Sequence, residues 1–515
     1  MEIIDNRALL LKVKQPEKIT SVIPKSKSVS SHEVMVKWGL EEAQVLKNLK
    51  IKNVPSPIMS DYEWGGMYKP FEHQKKTSSF LTLHRRAFVF NEQGTGKTGS
   101  VIWAADYLMK LGLIKRVLVL CPLSIMQSAW QSDLFKFAIH RSVGIAHSYS
   151  REKRIDVVNS NVEFVICNYD GLQIIRDAVN KNEFDLIVVD EANAYKTVTT
   201  NRWKILNSII KPKSWVWMMT GTPASQSPTD AYGLARVINP AGVPKYFGSF
   251  KDLVMYKVSE FVWLPKKNSE DVVHKALQPA IRFTKEECLD LPEMTYTTRS
   301  VPLTKQQNKY YERLRKDMLT IAAGEEITTV NAAANLNKLL QLSCGAVYTD
   351  NGETVEFDVS NRLKVLTEVI DEASHKVIVF APYRHAINLI YDYLTKNKYK
   401  CDVIHGAVSV NNRTDIFNKF QTEDSPQVLF IQPQAASHGV TLHAANVVVY
   451  WSAVMSVETY LQANARVHRA GQKNPCTVVH LQGSAVEKKM YKMLQSKIDT
   501  HNKLIDLYKN IIKDT

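Results

Sequence analysis

Long apolar runs and internal repeats are both missing from this chain of 515 residues. No segment approaches the roughly 18 uninterrupted apolar residues of a membrane-spanning helix, and the first residues are too polar for a secretory signal. No motif recurs with a period of roughly 20 to 50 residues, which argues against a solenoid or a propeller. We therefore expect an intracellular protein that has no membrane partner.

Cysteine is scarce and scattered. None of the six cysteines lies in a Cys-x-x-Cys pair or beside a cluster of histidines, so neither a zinc site nor a disulfide framework is expected. Cys121 and Cys167 each end an apolar run, where cysteine acts as a small buried hydrophobic residue. The remaining four are Cys288, Cys344, Cys401 and Cys476.

The composition is that of an ordinary globular protein, with 45% hydrophobic and 23% charged residues. Because single cores stop growing at roughly 250 to 300 residues, this length predicts two or three domains. The net charge of +15 favours a polyanionic partner, since lysine and arginine contacts to phosphates release bound counterions. Solubility alone would also explain the charge.

Two series of short β-branched runs, each alternating with helix-length segments, organise the chain. This alternation is typical of βαβ units and of parallel sheets that are buried on both faces. The sequence therefore predicts an α/β protein with two parallel-sheet lobes. The first series comprises residues 87–90, 117–121, 164–167, 186–189 and 215–219, and the second comprises residues 377–380, 403–405, 428–431, 447–451 and 477–481.

The pattern divides the chain into four parts. In the first part, lysine-rich and short, we predict a strand at 8–14 and a helix at 40–49, with a flexible solvated arm as the alternative. The four predicted parts are a small basic accessory domain (1–65), a first lobe (66–235), a connecting and inserted helical region (236–360) and a second lobe (361–515).

The strongest local signal is the loop Asn91-Glu92-Gln93-Gly94-Thr95-Gly96-Lys97-Thr98, which lies between a predicted strand and a helix. In such loops, backbone N–H groups cradle phosphates, a lysine neutralises the β and γ charges, and a threonine holds Mg²⁺. We therefore predict ATP and Mg²⁺ as ligands of this loop. Asn91 stands where the pattern usually has glycine, and a chance turn is the alternative. The predicted nucleotide-binding residues here are Gly94, Thr95, Gly96, Lys97 and Thr98, of which Thr98 also binds the metal.

A second signal is the apolar run 186–189, which is followed by Asp190 and Glu191. Acids at the end of such a strand lie at the carboxyl edge of the sheet, where open α/β sheets bind ligands. Asp190 is suited to bind Mg²⁺ through water, and Glu191 to orient and deprotonate an attacking water. Acids that merely favour a helix N-terminus are the alternative, which a phosphate loop on the same sheet disfavours.

These motifs resemble those of superfamily-two helicases of the Swi/Snf type. Asp190-Glu191-Ala192-Asn193 resembles their DEAx box, and Thr220-Gly221-Thr222-Pro223 resembles their Thr-Gly-Thr-Pro motif. Gln462-Ala463-Asn464-Ala465-Arg466-Val467-His468-Arg469-Ala470-Gly471-Gln472 closely resembles the Gln-Ala-x-x-Arg-x-His-Arg-x-Gly-Gln signature of that branch. Further matches, in the family's order, lie at residues 70–74, 121–124 with Trp130, 168–172 and 438–442.

The resemblance implies two RecA-like lobes and a role for each matching residue. Arginines one helical turn apart can stabilise charge that builds on a γ-phosphate, although a solvated basic helix end is the alternative. Asn193 replaces the usual histidine, which is associated with coupling hydrolysis to motion. By resemblance, Gln74 would recognise adenine, Gly439 would bind nucleotide, and Lys97, Asp190, Glu191, Gln462, Arg466 and Arg469 would be catalytic.

Two further segments resemble parts of the same family. Residues 281–285, followed by Leu291 and Pro292, resemble the stretch between the lobes, and we assign them no chemistry. Residues 25–40 are similar to the HARP-like domain of annealing helicases, which would direct the protein to forks and junctions.

The resemblance implies a DNA-dependent ATPase, a helicase or translocase that remodels branched or duplex DNA in replication, recombination or repair. An RNA helicase and a non-catalytic nucleic-acid-binding scaffold are the alternatives. A chromatin remodeller is disfavoured by the short segment after the arginine motif. We expect a monomer, cytoplasmic or associated with the nucleoid in a bacterial or virus-infected cell.

Overall fold

The chain folds into two compact units, one that contains Met1–Cys288 and one formed by Leu289–Thr500. Each is built around a parallel sheet, which confirms the predicted α/β class with two lobes. Among the residues described, no helix combines the length and the apolar character needed to cross a membrane. The computed structural model describes residues 1–224, 226–259, 262–324, 329–348, 354–436 and 440–513.

A small antiparallel sheet begins the first unit. Alternate side chains of its two central strands, such as Leu9 and Val36, face a separate small core, while Lys12 and Lys37 lie exposed. In spatial order the strands are Glu2–Ile4, Ala8–Lys12, Glu33–Lys37 and Ser26–Ser30, and the helices of this part are Glu17–Thr20 and Leu40–Asn48.

This accessory sheet packs against the lobe that follows it. The side chain of Leu40 lies in the core of that lobe. Gln44 Nε2 donates to the carbonyl of Thr82 at 2.8 Å, and Lys47 Nζ donates to the carbonyl of Leu83 at 3.4 Å. Burial lowers the pKa of Lys47 to about 8. The helix Leu40–Asn48, called the accessory helix below, therefore caps the carboxyl end of the lobe helix Glu72–Thr82.

The lobe of the first unit has a seven-stranded parallel sheet. Its central strands are fully buried apolar runs, as expected for a parallel sheet covered on both faces. The strand order is Ala280–Ile281, Arg86–Val89, Trp215–Met219, Leu186–Val189, Val117–Cys121, Phe164–Asn168 and Val143–Ile145.

Helices and helical turns cover this sheet. The α-helices are Ile58–Asp61, Glu72–Thr82, Lys97–Lys110, Ser132–Phe137, Arg151–Asn159, Gly171–Lys181, Asn201–Ile209, Ala231–Ile238, Phe247–Val254, Ser269–Ala276 and Lys285–Cys288. Short 3₁₀ turns span Leu123–Ile125, Ala192–Tyr195, Pro228–Asp230 and Pro240–Gly242, a π-helical turn spans Met126–Gln131, and a two-stranded ribbon pairs Met255–Lys257 with Trp263–Pro265.

The second unit has a six-stranded parallel sheet. Its strand order is Met294–Ser300, Cys476–Gln482, Ala445–Tyr450, Lys376–Phe380, Val428–Ile431 and Cys401–Ile404. The helices are Lys305–Gly324, Thr329–Cys344, Ser360–Glu372, Arg384–Lys396, Val410–Thr422, Pro433–Ala436, Val457–Val467 and Ala485–Lys513, the last of which belongs to this unit as far as Thr500, and a small ribbon pairs Ala346–Tyr348 with Thr354–Glu356.

Strands from the predicted connecting region, residues 236–360, join both large sheets. Ala280–Ile281 pairs with Arg86–Val89 in the first unit, and Met294–Ser300 pairs with Cys476–Gln482 in the second. The bounds of the four predicted parts stay a prediction, but the connecting region is built partly from edge strands of the two lobes.

A buried ion pair holds the second unit together. Arg362 and Glu487 meet through two hydrogen bonds of 2.8 and 2.7 Å, and both side chains are almost completely buried. Burial alone would raise the pKa of Glu487, but the charge of Arg362 and hydrogen bonds from Arg362, Gly483 and Ser484 lower it instead. The carboxylate form is therefore stabilised by folding.

Replacing Arg362 with methionine should lower the free energy of unfolding by about 3 to 5 kcal/mol, because Glu487 would remain as an uncompensated buried charge. Urea unfolding would measure the loss. The control Arg299→Met, which removes an exposed pair with Glu372, should cost less than about 1 kcal/mol. Since Glu487 has a lowered pKa, its contribution is full above roughly pH 5 and decreases as the pH falls through the folded pKa. Equal losses for the two variants would contradict this account.

Candidate nucleotide site

The phosphate loop lies between the strand Arg86–Val89 and the helix Lys97–Lys110. Gly94 and Gly96 have φ angles of 88° and 76°, a left-handed conformation that glycine adopts without strain. A Cβ atom on Gly96 would also collide with the side-chain amide of Gln74. Glycine is therefore favoured at both positions by the backbone conformation, and at Gly96 also by close packing.

Asn91, which stands where the loop pattern usually has glycine, connects the loop to neighbouring segments through its side chain. Its side chain is fully buried. Nδ2 donates to Thr77 Oγ1 at 2.9 Å, and Oδ1 accepts from the backbone N–H of Phe283 at 3.1 Å. The asparagine thus ties the start of the loop to a neighbouring helix and to the segment after the edge strand, which glycine would not do.

Lys97 lies within the loop. Its ammonium group donates to the carbonyl oxygens of Asn91 at 2.9 Å and Glu92 at 3.2 Å. Thr98 follows in the first turn of the helix, beside the helix N-terminus. These positions match a site where backbone N–H groups and a lysine receive phosphate oxygens.

Gln74 is bound to the same loop. Nε2 donates to the carbonyl oxygens of Thr95 at 3.4 Å and Gly96 at 3.3 Å, while Oε1 accepts from the backbone N–H of Phe71 at 2.8 Å. His73, whose pKa is lowered by burial, places Nε2 2.8 Å from the carbonyl of Thr95. The amino end of the helix Glu72–Thr82 is therefore fixed against the loop, and the recognition of adenine by Gln74 stays a prediction.

Asp190 and Glu191 follow the buried strand Leu186–Val189, as predicted. Asp190 is buried, and its Oδ2 accepts from Trp130 Nε1 at 2.9 Å. Its Oδ1 accepts from the backbone N–H of Glu191 at 2.9 Å. Glu191 has a φ of 47°, a strained conformation for a residue with a Cβ atom, of the kind that clusters at functional sites.

Two aromatic residues position this acid pair. The Trp130 side chain is fully buried in the π-helical turn Met126–Gln131, a distortion frequent at functional sites. The Tyr169 hydroxyl donates to the carbonyl oxygen of Asp190 at 2.6 Å, and burial, with the nearby charges of Asp190 and Glu191, raises its pKa well above the ordinary value. Both groups therefore remain hydrogen-bond donors. Their roles could not be predicted from motif spacing alone.

Asn193 links the acid pair to the Thr-Gly-Thr-Pro motif. Its Nδ2 donates to both the carbonyl oxygen and Oγ1 of Thr222, each at 3.1 Å. Thr222 in turn donates its backbone N–H to Thr220 Oγ1 at 3.2 Å. The residue that replaces the family's histidine therefore makes a direct contact between the two motifs.

Arg282 is a site residue to which the sequence reasoning gave no chemistry. Its side chain is 1% exposed, and Nη1 donates to the carbonyl oxygens of Phe90 at 2.7 Å and Gly221 at 3.3 Å. Nη2 lies 3.4 Å from Glu92 Oε1. One guanidinium thus connects the phosphate loop to the Thr-Gly-Thr-Pro motif. In the sequence, the one sign of this role is that the charged Arg282 lies between the apolar residues Ile281 and Phe283.

The arginine motif lies in the second unit. Arg466 is buried in the last turn of the helix Val457–Val467, and Gln462, also buried on this helix, donates to Glu458 Oε1 at 3.4 Å. Arg469 donates to the carbonyl oxygen of Val440 at 3.1 Å. Because the helix ends at Val467, the expectation that both arginines lie one helical turn apart is wrong.

Two other residues of the motifs predicted in the second lobe, Gln472 of the arginine motif and Gly439 of the segment 438–442, have different outcomes. Gln472 is buried and donates to the carbonyl oxygens of Ala445 at 2.9 Å and His443 at 3.2 Å, so it holds the loop after the helix in place. Gly439, predicted to bind nucleotide, lies outside the described residues.

A phosphate loop and an acid pair at the carboxyl edge of one parallel sheet, with a second parallel-sheet unit, define a two-lobed nucleotide-binding core of the helicase class. The chain belongs to the SNF2-related family: the SNF2-related domain matches residues 29–345, and the Helicase conserved C-terminal domain matches residues 361–471. The resemblance to Swi/Snf-type superfamily-two helicases is thereby confirmed. The HARP-like similarity stays a prediction.

Curated relatives are larger proteins. The "Chromodomain-helicase-DNA-binding protein 1-like" of Danio rerio is 24% identical over 81% of this chain and 41% of its own length. The "SWI/SNF-related matrix-associated actin-dependent regulator of chromatin subfamily A-like protein 1 homolog" of Caenorhabditis elegans is 26% identical over 88% of this chain and 64% of its own length. An "Uncharacterized ATP-dependent helicase" of Mycoplasma genitalium is 24% identical over 76% of this chain and 37% of its own length. The chain thus spans less than two thirds of each of these relatives.

One solved structure with a similar chain is the SWI2/SNF2 ATPase core of Sulfolobus solfataricus in complex with dsDNA. It is 22% identical, covers 86% of this chain and 94% of its own, and has a TM-score of 0.42.

Proposed function

We propose that this protein is a DNA-dependent ATPase that moves along DNA and remodels duplex or branched DNA. The observation that carries the proposal is that the Lys97 loop, Asp190 and the Thr-Gly-Thr-Pro motif follow three neighbouring strands of the first sheet, with hydrogen bonds of Arg282 and Asn193 linking that motif to the loop and to the acid segment. Such an arrangement suits phosphoryl transfer, in which catalysis is mainly positioning and electrostatic stabilisation.

ATP would bind at the loop. The left-handed glycines bring backbone N–H groups to the N-terminus of the helix Lys97–Lys110, and the Lys97 ammonium would exchange its carbonyl contacts for phosphate oxygens. Gln74, already held against Gly96, would recognise the adenine.

Thr98 and Asp190 would hold Mg²⁺. Oxygen donors, a hydroxyl and a carboxylate that binds through water, are the ligands this ion prefers. Bound Mg²⁺ would neutralise charge on the oxygens of the transferring phosphoryl group. The indole of Trp130 orients Asp190 for that task, since it fixes one carboxylate oxygen by a buried hydrogen bond.

Glu191 would orient the attacking water and accept its proton. Arg466 and Arg469 are proposed to stabilise the charge that develops on the γ-phosphate, with Gln462 beside them in the same motif. Asn193 and Arg282, each in contact with the Thr-Gly-Thr-Pro motif, would pass changes at the phosphates to that motif.

Replacing Trp130 with phenylalanine tests the positioning of Asp190. We expect ATP turnover to fall by about ten- to a hundredfold and to need more Mg²⁺ for half-maximal rate, because a residue that orients a metal ligand is lost. A Mg²⁺ titration of steady-state turnover measures both effects. The control Trp217→Phe removes another buried indole, which donates to the carbonyl of His84, and should leave the Mg²⁺ dependence unchanged. An unchanged titration for Trp130→Phe would reject the positioning role.

DNA is the proposed track. The net charge of +15 favours a polyanion, and relatives are named as DNA-binding helicases or as regulators of chromatin. Contacts to the phosphate backbone would let the protein move without reading sequence. We place it, as a monomer, in the cytoplasm or nucleoid of a bacterial or virus-infected cell.

The accessory sheet is proposed to favour forks and junctions. Its outer face carries Lys12, Lys27 and Lys37 on adjacent strands, and the first two are paired with Glu33 and Met35 across the sheet. Although Glu33 lies opposite Lys12 on this face, the three lysines would attract the crowded phosphates of a DNA branch.

ATP hydrolysis by the purified protein tests the function. It should be compared without nucleic acid and with single-stranded DNA, linear duplex, a four-way junction and RNA. The proposal expects stimulation by duplex DNA and greater stimulation by the junction. Stimulation by RNA alone would favour an RNA helicase, and no hydrolysis under any condition would favour a non-catalytic scaffold.

A further inference from the structure

A two-stranded ribbon in the first unit has no role in the nucleotide site. It follows the helix Phe247–Val254 and pairs Met255–Lys257 with Trp263–Pro265 in antiparallel register, with Tyr256 opposite Leu264. Among the described residues, neither strand pairs with a third strand. The ribbon therefore has two distinct faces, since alternate residues of a strand point to opposite sides.

The inner face is fixed to the lobe. Met255 belongs to the buried core, and Trp263 packs against it. Lys251 places its ammonium group 3.7 Å from the centroid of the Trp263 ring, close enough for a favourable cation–π contact. The backbone of the ribbon is thus anchored by packing on one side.

The outer face is apolar and exposed. Tyr256 and Leu264, directly opposite each other, are 46% and 43% exposed. Val258 and Val262 continue the same face, are 56% and 47% exposed, and are joined by a backbone hydrogen bond of 2.8 Å. These four neighbouring side chains form one exposed apolar patch, and contiguous patches of this kind are typical of binding surfaces.

Positive charge lies around the ribbon, although Lys257, directly opposite Trp263, belongs to its inner face. Between residues 245 and 267 the sequence has five lysines and two acidic residues. Lys245, Lys257 and Lys267 are exposed. A ligand that fits must therefore combine flat apolar surfaces with regularly spaced negative charge.

We propose that this ribbon face binds single-stranded DNA. Unpaired bases would stack on Tyr256 and pack on Leu264 and the two valines. Phosphates would be contacted by Lys267 and by the exposed side chain of Lys257, which would reach them around the edge of the ribbon from the inner face. Duplex DNA would offer its phosphates but not its base faces, which are stacked within the helix, and so would leave the apolar face uncovered. Because the assignment rests on DNA as the proposed substrate, it adds an unpaired strand to that substrate, as found at a fork.

The test measures binding of a fluorescent oligothymidine of roughly 20 nucleotides to the full chain by anisotropy, without nucleoside triphosphate. Tyr256→Ala should weaken binding by about tenfold, the loss expected for one stacked base. Tyr256→Phe, which keeps the ring, should bind like the wild type. Tyr149→Ala removes a fully exposed tyrosine of the same unit and should change nothing.

Salt dependence separates stacking from charge. Tyr256→Ala should leave the slope of log affinity against log salt unchanged, because a stacked base releases no counterions. The double variant Lys257→Gln/Lys267→Gln should reduce the magnitude of that slope by about 1.4, since each lost phosphate contact on single-stranded DNA accounts for about 0.7. Thermal melts by circular dichroism should show that these surface variants stay folded.

Two results would overturn the assignment. One is oligothymidine affinity in Tyr256→Ala equal to that of the wild type. The other concerns sedimentation: the wild type self-associates, whereas Tyr256→Ala is monomeric and keeps its oligonucleotide affinity. That result would make the face a contact between copies of this chain. The motor proposal fails separately, if the wild type shows no DNA-stimulated ATP turnover while oligothymidine binding still depends on Tyr256.

Discussion

Arg469→Ala should lower the maximal rate of ATP hydrolysis by about 10³- to 10⁵-fold while changing the KM for ATP by less than about threefold, if it acts as an arginine finger. The reason is that its guanidinium would meet charge that develops only as the γ-phosphoryl group transfers, so its loss removes transition-state stabilisation and little ground-state binding. In the second unit, Arg469 lies beyond the helix Val457–Val467 and donates to the carbonyl oxygen of Val440 at 3.1 Å.

Steady-state kinetics with saturating duplex DNA would separate the two parameters. Arg469→Lys should not restore the rate, because an ammonium group lacks the planar fork of donors that matches phosphate oxygens. Arg315→Ala, which removes an exposed arginine paired with Glu312 in the same unit, is the matched control and should retain full activity. A loss shared equally between rate and KM would instead assign Arg469 to nucleotide binding.

Lys97→Ala should reduce ATP turnover by at least about 10²- to 10³-fold and leave DNA affinity nearly unchanged. A preorganised cationic donor inside the phosphate loop would be lost, and donors of that kind are worth this much in the rate. The loop itself should persist, because its shape depends on left-handed glycines and on the buried Asn91 and Arg282 contacts.

Phosphate release and duplex-binding anisotropy would be measured on the same preparation. Lys110→Ala is the control. Lys110 lies at the other end of the same helix, and its ammonium group lies 3.4 Å from a carboxylate oxygen of Asp106. Turnover within a few fold of the wild type in Lys97→Ala would disprove the assignment of the phosphate loop.

Most of the two lobes could be predicted from the sequence. Strands buried on both faces are continuous apolar runs, so residues 117–121, 186–189 and 215–219 were predicted with the bounds that the structure has. Short or exposed edge strands carry no such signal. Ala280–Ile281 has two residues, and the exposed strand Met294–Ser300 is rich in threonine, so neither was predicted.

The site was predictable only where the chemistry is local. Lys97 and Asp190 follow directly from a loop and a strand end. The contacts of Arg282 with Phe90 and of Trp130 with Asp190 join residues far apart in sequence, and no spacing rule reveals them. Arg469 shows the same limit, because helix periodicity predicts a neighbour one turn away but not where the helix stops.

The helix Glu72–Thr82 has consequences for how the N-terminal region can be studied. Its amino end is bound to the phosphate loop through Gln74, and its carboxyl end accepts hydrogen bonds from the accessory helix through Gln44. Removing about the first sixty residues would therefore remove the hydrogen bonds of Gln44 and Lys47 to the carboxyl end of this helix. It would also expose the apolar surface that Leu40 covers. Lower activity in a truncated protein could then come from a weakened nucleotide loop as well as from lost DNA contacts. Substituting the outer lysines Lys12, Lys27 and Lys37 would test the DNA contacts without disturbing this helix.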